Sequence, residues 1–433
     1  MKSFFRQESG SGTRIYLDHA SATPVAHEAL AAYVEASEIF GNPGSIHAEG
    51  VAASRLLKES REKIARELGA KAREIVFVSG GTEANNLAIL GFARQIEQRS
   101  VLTKKGSPRV SPLEGTHWIV SSIEHTSVLE CFAEVERLGG AVDFVDPDED
   151  GIIRPEAVAQ LLRPATIFVS IGWGNSEIGV VQPLAKIGRE LRAYEKANGT
   201  SIIFHSDAGQ APLYEAANVH SLDVDLLSLD SGKLYGPRGI GCIYLNDRVK
   251  LSRIQHGGGQ ERGLRAGTEN VALASGFACA IALIAQERSA ESKRLRALRD
   301  LLASKIIAEI PETIINGDLA QCLPHMLNIS VPDIKSEYVT LALDHAGIAI
   351  STKSACREGE AKESHVVKML ASAAGLTAEA LAKAGANMNE SVAAVWRAQN
   401  TLRFSLGRGT SEDEIARVVS VLVAIIKQQH IRA

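Results

Sequence analysis

Lys233 stands between a hydrophobic run, VDLLSL (224–229), and a turn-rich stretch, LYGPRGIG. Alone, such a lysine reads as a solvated loop residue. Its company changes the reading. Four other hydrophobic runs also end in polar residues: SGGTE after REIVFV, EHTS after HWIVSSI, GNSE after TIFVSIGW, and HSDAGQ after SIIF. If all five ends share one crevice, that crevice holds Thr82, His125, Asn175, Asp207 with Gln210, and Lys233.

Each type has a chemistry and a plainer alternative. SGGTEANN follows a strand-like run and opens a helical pattern, so the N–H of Gly81 and the hydroxyl of Thr82 would face an anion at the positive end of the helix dipole. A Gly-Gly pair before a helix is also simply a tight turn. Asp207 is either a turn or capping residue or the partner of a protonated ring nitrogen. His125 is either a cap or a flat imidazole that stacks on an aromatic ring and carries protons near neutrality. Asn175 and Gln210 could hydrogen-bond a phenolic oxygen. A lysine, an acid for a pyridine nitrogen and a helix N-terminus for a phosphate are together what pyridoxal 5'-phosphate requires.

The five cysteines are odd in number and lack CxxC spacing, which argues against a disulfide framework or a zinc knuckle and for a reducing compartment. Cys131, Cys242 and Cys279 sit in apolar or small-residue company and read as packing residues; Cys322, in AQCLPH, is uninformative. Cys356 differs, lying in STKSACREGE between Lys353 and Arg357, where positive charge stabilises a thiolate.

The elements that must position these groups alternate between short apolar runs and longer helical patterns, which predicts βαβ units and a mostly parallel sheet. Ligands bind such sheets at the carboxyl ends of the strands. Beyond about Ala280 a long charged helical segment leads into HMLNISVP, SEYVTLALDHAG, AISTKSAC and TLRFSLGR, the pattern of a smaller α+β domain. The expected division is a large domain over 26–286 and a small domain from 1–25 and 287–433 that carries the Cys356 loop. RSVLTKKGSPRVSPLEG and LTAEALAKAGANMNESVAAVW read as surface insertions. With 433 residues, 45% hydrophobic and 23% charged, and a net charge of -4, the chain is mildly acidic and globular. It has no basic stripe for nucleic acid and no uninterrupted apolar run of membrane-spanning length. MKSFFRQESGSGTR has no apolar core of the kind a secretory signal needs, so a cytoplasmic location is expected.

From Ile15 to about Lys427 the sequence resembles the cysteine desulfurases, pyridoxal-phosphate enzymes of the aminotransferase fold (fold type I). IYLDHASATPV, FGNPGSIHAEG, SGGTEANN, IEHTS, NSEIGVVQPL, HSDAGQ, GKLYGPRGIG, GGGQERGLRAGTEN, KSAC and LRFSLGR occur in order. The resemblance implies that Lys233 binds the cofactor covalently, with His125 over its ring and Asp207 at the pyridine nitrogen. Gln210 and Asn175 would lie near the phenolic oxygen, and Gly81 and Thr82 near the phosphate. Thr268 would reach the phosphate from the other subunit of a homodimer, Arg403 would hold the substrate carboxylate together with Asn175, and Cys356 would be the nucleophile. Lys233 would take the Cα proton of L-cysteine, His125 would assist at the thiol, and Cys356 would keep the sulfur as a persulfide while alanine leaves. The sulfur would go to an iron–sulfur scaffold, a sulfur carrier or tRNA thiolation. A selenocysteine lyase, or a catalytically weak sulfur-handling relative, is the alternative. A nucleotide-binding domain fits less well, because SGGTE lacks both the Walker lysine and GxGxxG spacing.

One departure falls on the opening stretch. The family reads Ser-Gly-His-Lys where this chain has Asp230-Ser231-Gly232-Lys233. An aspartate beside a phosphate is repulsive unless it turns away, so Ser231 is expected to take over as phosphate donor. The chain also ends at QQHIRA soon after its last helical pattern, where housekeeping members carry a longer scaffold-binding tail.

Overall fold

The computed structural model describes residues 14–103, 111–331, 334, 336–352, 363–373 and 390–432. Lys353, Cys356 and Arg357 lie outside the described residues, as do most of the second expected insertion and 104–110 of the first.

Strand β1 (Ile15–Tyr16) precedes helices α1 (His27–Ser37) and α2 (Ala48–Leu68), which lead to β2 (Ile75–Val78) and α3 (Gly81–Thr103). There follow β3 (His117–Ser121), α4 (Thr126–Arg137), β4 (Ala141–Val145), α5 (Pro155–Leu161), β5 (Thr166–Ser170), α6 (Leu184–Asn198) and β6 (Ile203–Asp207). A short α7 (Val219–Leu222), β7 (Leu226–Asp230) and β8 (Gly241–Leu245) complete one seven-stranded sheet of order β2-β8-β7-β6-β5-β3-β4. Strands β3 to β7 pair in parallel, and β8 runs antiparallel to both β7 and β2. The carboxyl ends of β2, β3, β5, β6 and β7 therefore lie along one edge of the sheet, where SGGTE, EHTS, GNSE, HSDAGQ and DSGK begin.

Strands β2, β3, β5, β7 and β8 are largely apolar runs because helices cover both faces, whereas the edge strand β4 is partly exposed. Trp118, Val120, Phe168 and Ile243 pack with α3 and α4 on one side; Ile119, Val169, Phe204 and Leu227 join the larger core on the other. His205 lies inside β6 between the hydroxyls of Ser170, 2.8 Å from Nδ1, and Ser228, 3.0 Å from Nε2. Burial lowers its pKa to about 4, so it is a neutral packing residue.

Helix α8 (Val271–Glu309) is the one described helix long and apolar enough to cross a membrane. Its apolar half has a partner in the fold: it packs on α1 and α2. A Cβ at Gly276 would lie 3.0 Å from the Ala29 carbonyl, so this glycine sets the approach of α1. The helix runs unbroken across residue 286, linking the large sheet to β9 (Ile314–Ile315), β10 (Met326–Ser330), α9 (Ser336–His345), β11 (Ile348–Ala349), α10 (His365–Ala373), α11 (Glu390–Gln399), β12 (Thr401–Ser405) and α12 (Glu412–Arg432). Among these, β9, β10 and β12 form an antiparallel sheet, and β11 pairs in parallel with β1. Isolated bridges Asp18–Ser405 and Ser351–Arg403 bring the β1 and β11 segments against β12. The first expected insertion begins inside a helix, since α3 continues through RSVLT to Thr103.

Candidate active site

Lys233 closes a 3₁₀ turn, Ser231–Lys233, at the end of β7. Thr23, 1% exposed, clamps that turn. Its N–H and hydroxyl both donate to the Gly232 carbonyl, at 3.0 and 3.1 Å, and its oxygen accepts from the Tyr235 N–H at 2.8 Å. Tyr235 sits at φ 54, a left-handed conformation unusual for a bulky residue, so the clamp holds a strained corner just past the lysine. Gly241 backs the turn: a Cβ there would meet the Leu229 carbonyl at 2.4 Å.

His125, Asn175, Asp207, Gln210 and Lys233 line one cavity. Asp207 is anchored by the Gly209 N–H on Oδ1 (2.9 Å) and by Asn85 Nδ2 on Oδ2 (2.7 Å). A side chain at Gly209 would lie 3.2 Å from Asp207 Oδ1 and 3.7 Å from Lys233 Nζ; the missing side chain leaves the amine and the carboxylate facing shared space. Asn85 also donates to Ser127 Oγ at 2.9 Å, and that hydroxyl is 2.8 Å from His125 Nδ1. The Ser127 N–H donates to the same nitrogen at 3.2 Å, so Nδ1 is an acceptor and the neutral ring carries its proton on Nε2. Burial, then the charge of Lys233, lowers the pKa of His125. His125 is thus a helix cap and a cavity residue at once.

The amides are less equal than their types suggested. Gln210 donates to the Ala20 carbonyl at 2.7 Å, while its buried Oε1 has no partner. Asn175 spends its oxygen on the N–H groups of Glu177 and Ile178 and one amide hydrogen on the Ile123 carbonyl, which mainly shapes the loop. Arg403, 1% exposed, donates from Nη1 to the Ser176 carbonyl and from Nη2 to Asp18 Oδ1 (2.7 Å) and Ser21 (2.6 Å). Its buried Nε is without a partner.

The anion end brings a correction. Asp230 does not turn away. Its carboxylate accepts from the N–H of Gly81 (3.1 Å) and from the N–H of Gly232 (2.8 Å). Ser231 is fully buried, and its hydroxyl faces Gly236, where a Cβ would come within 2.2 Å of Oγ. As residue before the 3₁₀ turn, Asp230 takes the capping position, which rotates Ser231 inward. Thr82 and Thr268 are exposed, and Thr268 lines a separate cleft of about 660 Å³ with Ser79 and Arg265. Within one chain it does not reach the Lys233 cavity.

Sequence reasoning missed four participants: Thr23, Asn85, Glu124 and His365. Asn85 lies three residues after Thr82, one turn along α3, a spacing that could have flagged it. Glu124 lines the cavity beside His125. Burial, with the charge of Asp207, raises its carboxyl to about 8 despite a 2.7 Å hydrogen bond from the Gly172 N–H, so it is protonated at neutral pH. His365 enters from α10 with Nε2 3.0 Å from the Glu124 carbonyl.

Burial pushes the thiols of Cys131 and Cys322 up to about 12, and raises those of Cys242 and Cys279. The segments on either side of Cys356 are fixed at the site. Ser351 exchanges backbone hydrogen bonds with Arg403, and Ser364 Oγ donates to Glu177 Oε2. No cluster of metal-ligating side chains occurs among the described residues.

The sequence matches the family described as Aminotransferase class-V over residues 15–418. It is 35% identical over 417 residues to a cysteine desulfurase IscS of Dictyoglomus turgidum, covering 96% of this chain and 95% of that one. It is 37% identical over 420 residues to a cysteine desulfurase IscS of Histophilus somni, covering 96% and 93%. Among solved structures, a NifS-like protein superposes with a TM-score of 0.80 at 28% identity, covering 96% of this chain and all (100%) of that chain. A structure described as SspA in complex with cysteine gives 0.70 at 31%, covering 91% and 99%.

Proposed function

This chain belongs to the class-V aminotransferase family and, within it, to the cysteine desulfurases, and from that membership we propose how its residues divide the work. It is a pyridoxal-phosphate-dependent enzyme acting on cysteine. The observation that carries the reading is the pair of Lys233 and Asp207 flanking Gly209 in the cavity that His125 also lines. The ring end of the cofactor fits this cavity, because the buried Gln210 Oε1 lacks a partner and Gly209 leaves space that any side chain would fill. Lys233 would hold the cofactor, Asp207 its pyridine nitrogen, and Gln210 its phenolic oxygen. When bound, the cofactor supplies an electron sink for the pair of electrons left at Cα.

Lys233, as a free amine, is the base for the Cα proton. His125, with its proton held on Nε2 by the Ser127–Asn85 chain, serves the substrate sulfur. Arg403 is assigned to the substrate carboxylate, for which its fork must exchange the Ser176 carbonyl, Asp18 and Ser21 for the substrate, and Asn175 shapes the cavity wall. The Cys356 thiol takes the sulfur: the substrate C–S bond breaks, an S–S bond forms at Cys356, and the proton count closes on alanine plus a persulfide.

The reading extends to a cytoplasmic homodimer that passes sulfur to an iron–sulfur scaffold, a sulfur carrier or tRNA thiolation. Phe40 and Ile46, 85% and 98% exposed, support a second copy, with Leu30, Val34 and Val51 also exposed nearby in sequence. The exposed cleft around Thr268 supports the same reading. We also keep the two-domain division, 26–286 against 1–25 with 287–433.

The test is borohydride reduction of the holoenzyme followed by peptide mapping, with cysteine and selenocysteine turnover measured in the wild type and Cys356→Ala. The expected result is a label on Lys233 and loss of cysteine desulfuration in the variant with its visible absorption intact. A label on another lysine, or full desulfuration without Cys356, overturns the assignment.

A further inference from the structure

The last residue of β7 fills a place that a ligand's anion would take. Asp230 Oδ2 accepts from the first N–H of α3, at Gly81, and Oδ1 accepts from Gly232 on the lysine-bearing turn. Gly80 and Gly81 lie against the carboxylate, a Cβ on either falling 3.4 and 3.3 Å from Oδ2. Among the described residues Asp230 makes no ion pair, so these backbone donors are what hold it. Free backbone N–H groups at a helix N-terminus, beside a second donor from the next strand end, form an anion cup. Here the cup closes on the chain's own charge.

We propose that Asp230 is an internal competitor for the phosphate of the cofactor, so that this chain binds pyridoxal phosphate only by displacing its own carboxylate. The inference rests on the cofactor assignment above. A phosphate and a carboxylate cannot share the same two donors without like-charge repulsion. Asp207 ends another strand and Gln210 follows it, and Lys233 closes the turn that Asp230 caps, where asparagine or serine at 230 still offers an acceptor to the Gly232 N–H. The penalty therefore falls on the phosphate.

The experiment titrates apo-protein, stripped of cofactor and dialysed, with pyridoxal phosphate and with pyridoxal, following the absorption change. The wild type, Asp230→Asn and Asp230→Ser are compared at one ionic strength. Both variants are expected to bind pyridoxal phosphate about tenfold tighter than the wild type, a change of about 1.4 kcal/mol, with pyridoxal affinity unchanged. Inorganic phosphate is expected to raise the melting temperature of apo Asp230→Ser more than that of the apo wild type. Equal or weaker binding of pyridoxal phosphate in both variants, an equal gain for pyridoxal, or equal thermal shifts with phosphate overturns the proposal. Failure of the wild type and both variants to bind either compound overturns the cofactor assignment, and this inference with it. Tight binding by the wild type that neither variant improves overturns the inference alone.

Discussion

Replacing Thr23 by valine removes one hydroxyl and keeps the side chain's shape. That hydroxyl has two jobs at the lysine turn, as donor to the Gly232 carbonyl and as acceptor for the Tyr235 N–H. The Gly232 carbonyl keeps the Thr23 N–H at 3.0 Å, so its loss is the net value of one hydrogen bond, about 0.5–1.5 kcal/mol. The Tyr235 N–H fares worse. It belongs to a buried residue at φ 54, and stranding such a donor costs about 1–3 kcal/mol. Together the change should destabilise the protein by about 1.5–4.5 kcal/mol and loosen the turn that presents Lys233. Urea unfolding followed by fluorescence measures the first effect, and the fraction of Lys233 trapped by borohydride under limiting cofactor measures the second. Thr23→Ser keeps the hydroxyl and should recover most of both. A valine variant within about 0.5 kcal/mol of wild type, or a serine variant as damaged as the valine one, would refute the reasoning.

Glu124→Gln tests the buried acid. Its carboxyl sits at about 8 instead of 4.5, so between those values the folded chain keeps a proton that the unfolded chain has lost, and stability falls as pH rises. The variant lacks that slope, so its stability relative to wild type should grow from pH 5 to 8; a constant difference counts against the assignment. Arg403→Lys gives up the planar fork and should raise the KM for cysteine by about 10–100-fold with a smaller change in kcat. An unchanged KM would remove Arg403 from the substrate carboxylate. Asn85→Ala breaks one hydrogen bond to the Asp207 carboxylate, about 1.5–3 kcal/mol for a charged acceptor, and should weaken cofactor binding by about 10–100-fold; unaltered binding would make Asn85 a bystander.

The strand-end groups were legible because a parallel sheet sends every strand terminus to one edge, and the hydrophobic runs mark those termini. The placement of Lys233, Asp207 and His125 at that edge follows from this geometry, while their roles came from the resemblance. Side-chain direction was not legible. Whether Asp230 or Ser231 faces Gly81 is decided by which residue caps a three-residue turn, and residue types alone leave that open. Thr23 escaped notice because its partners are 209 and 212 positions away in sequence. Glu124 and His365 meet only after α10 packs against the loop following β3. Asn175 read as a ligand group, while most of its amide is engaged in bracing a loop.

An enzyme that removes sulfur from cysteine must keep that cargo from straying onto its own bystanders. Three of the four described cysteines, Cys131, Cys242 and Cys322, meet that need by dehydration, since a sulfhydryl that water cannot reach holds its proton and makes a poor nucleophile, while Cys279 is half-buried with its thiol pKa raised by that partial burial. Mild alkylation at neutral pH should accordingly spare Cys131, Cys242 and Cys322, and a persulfide formed elsewhere would find no reactive sink among those three.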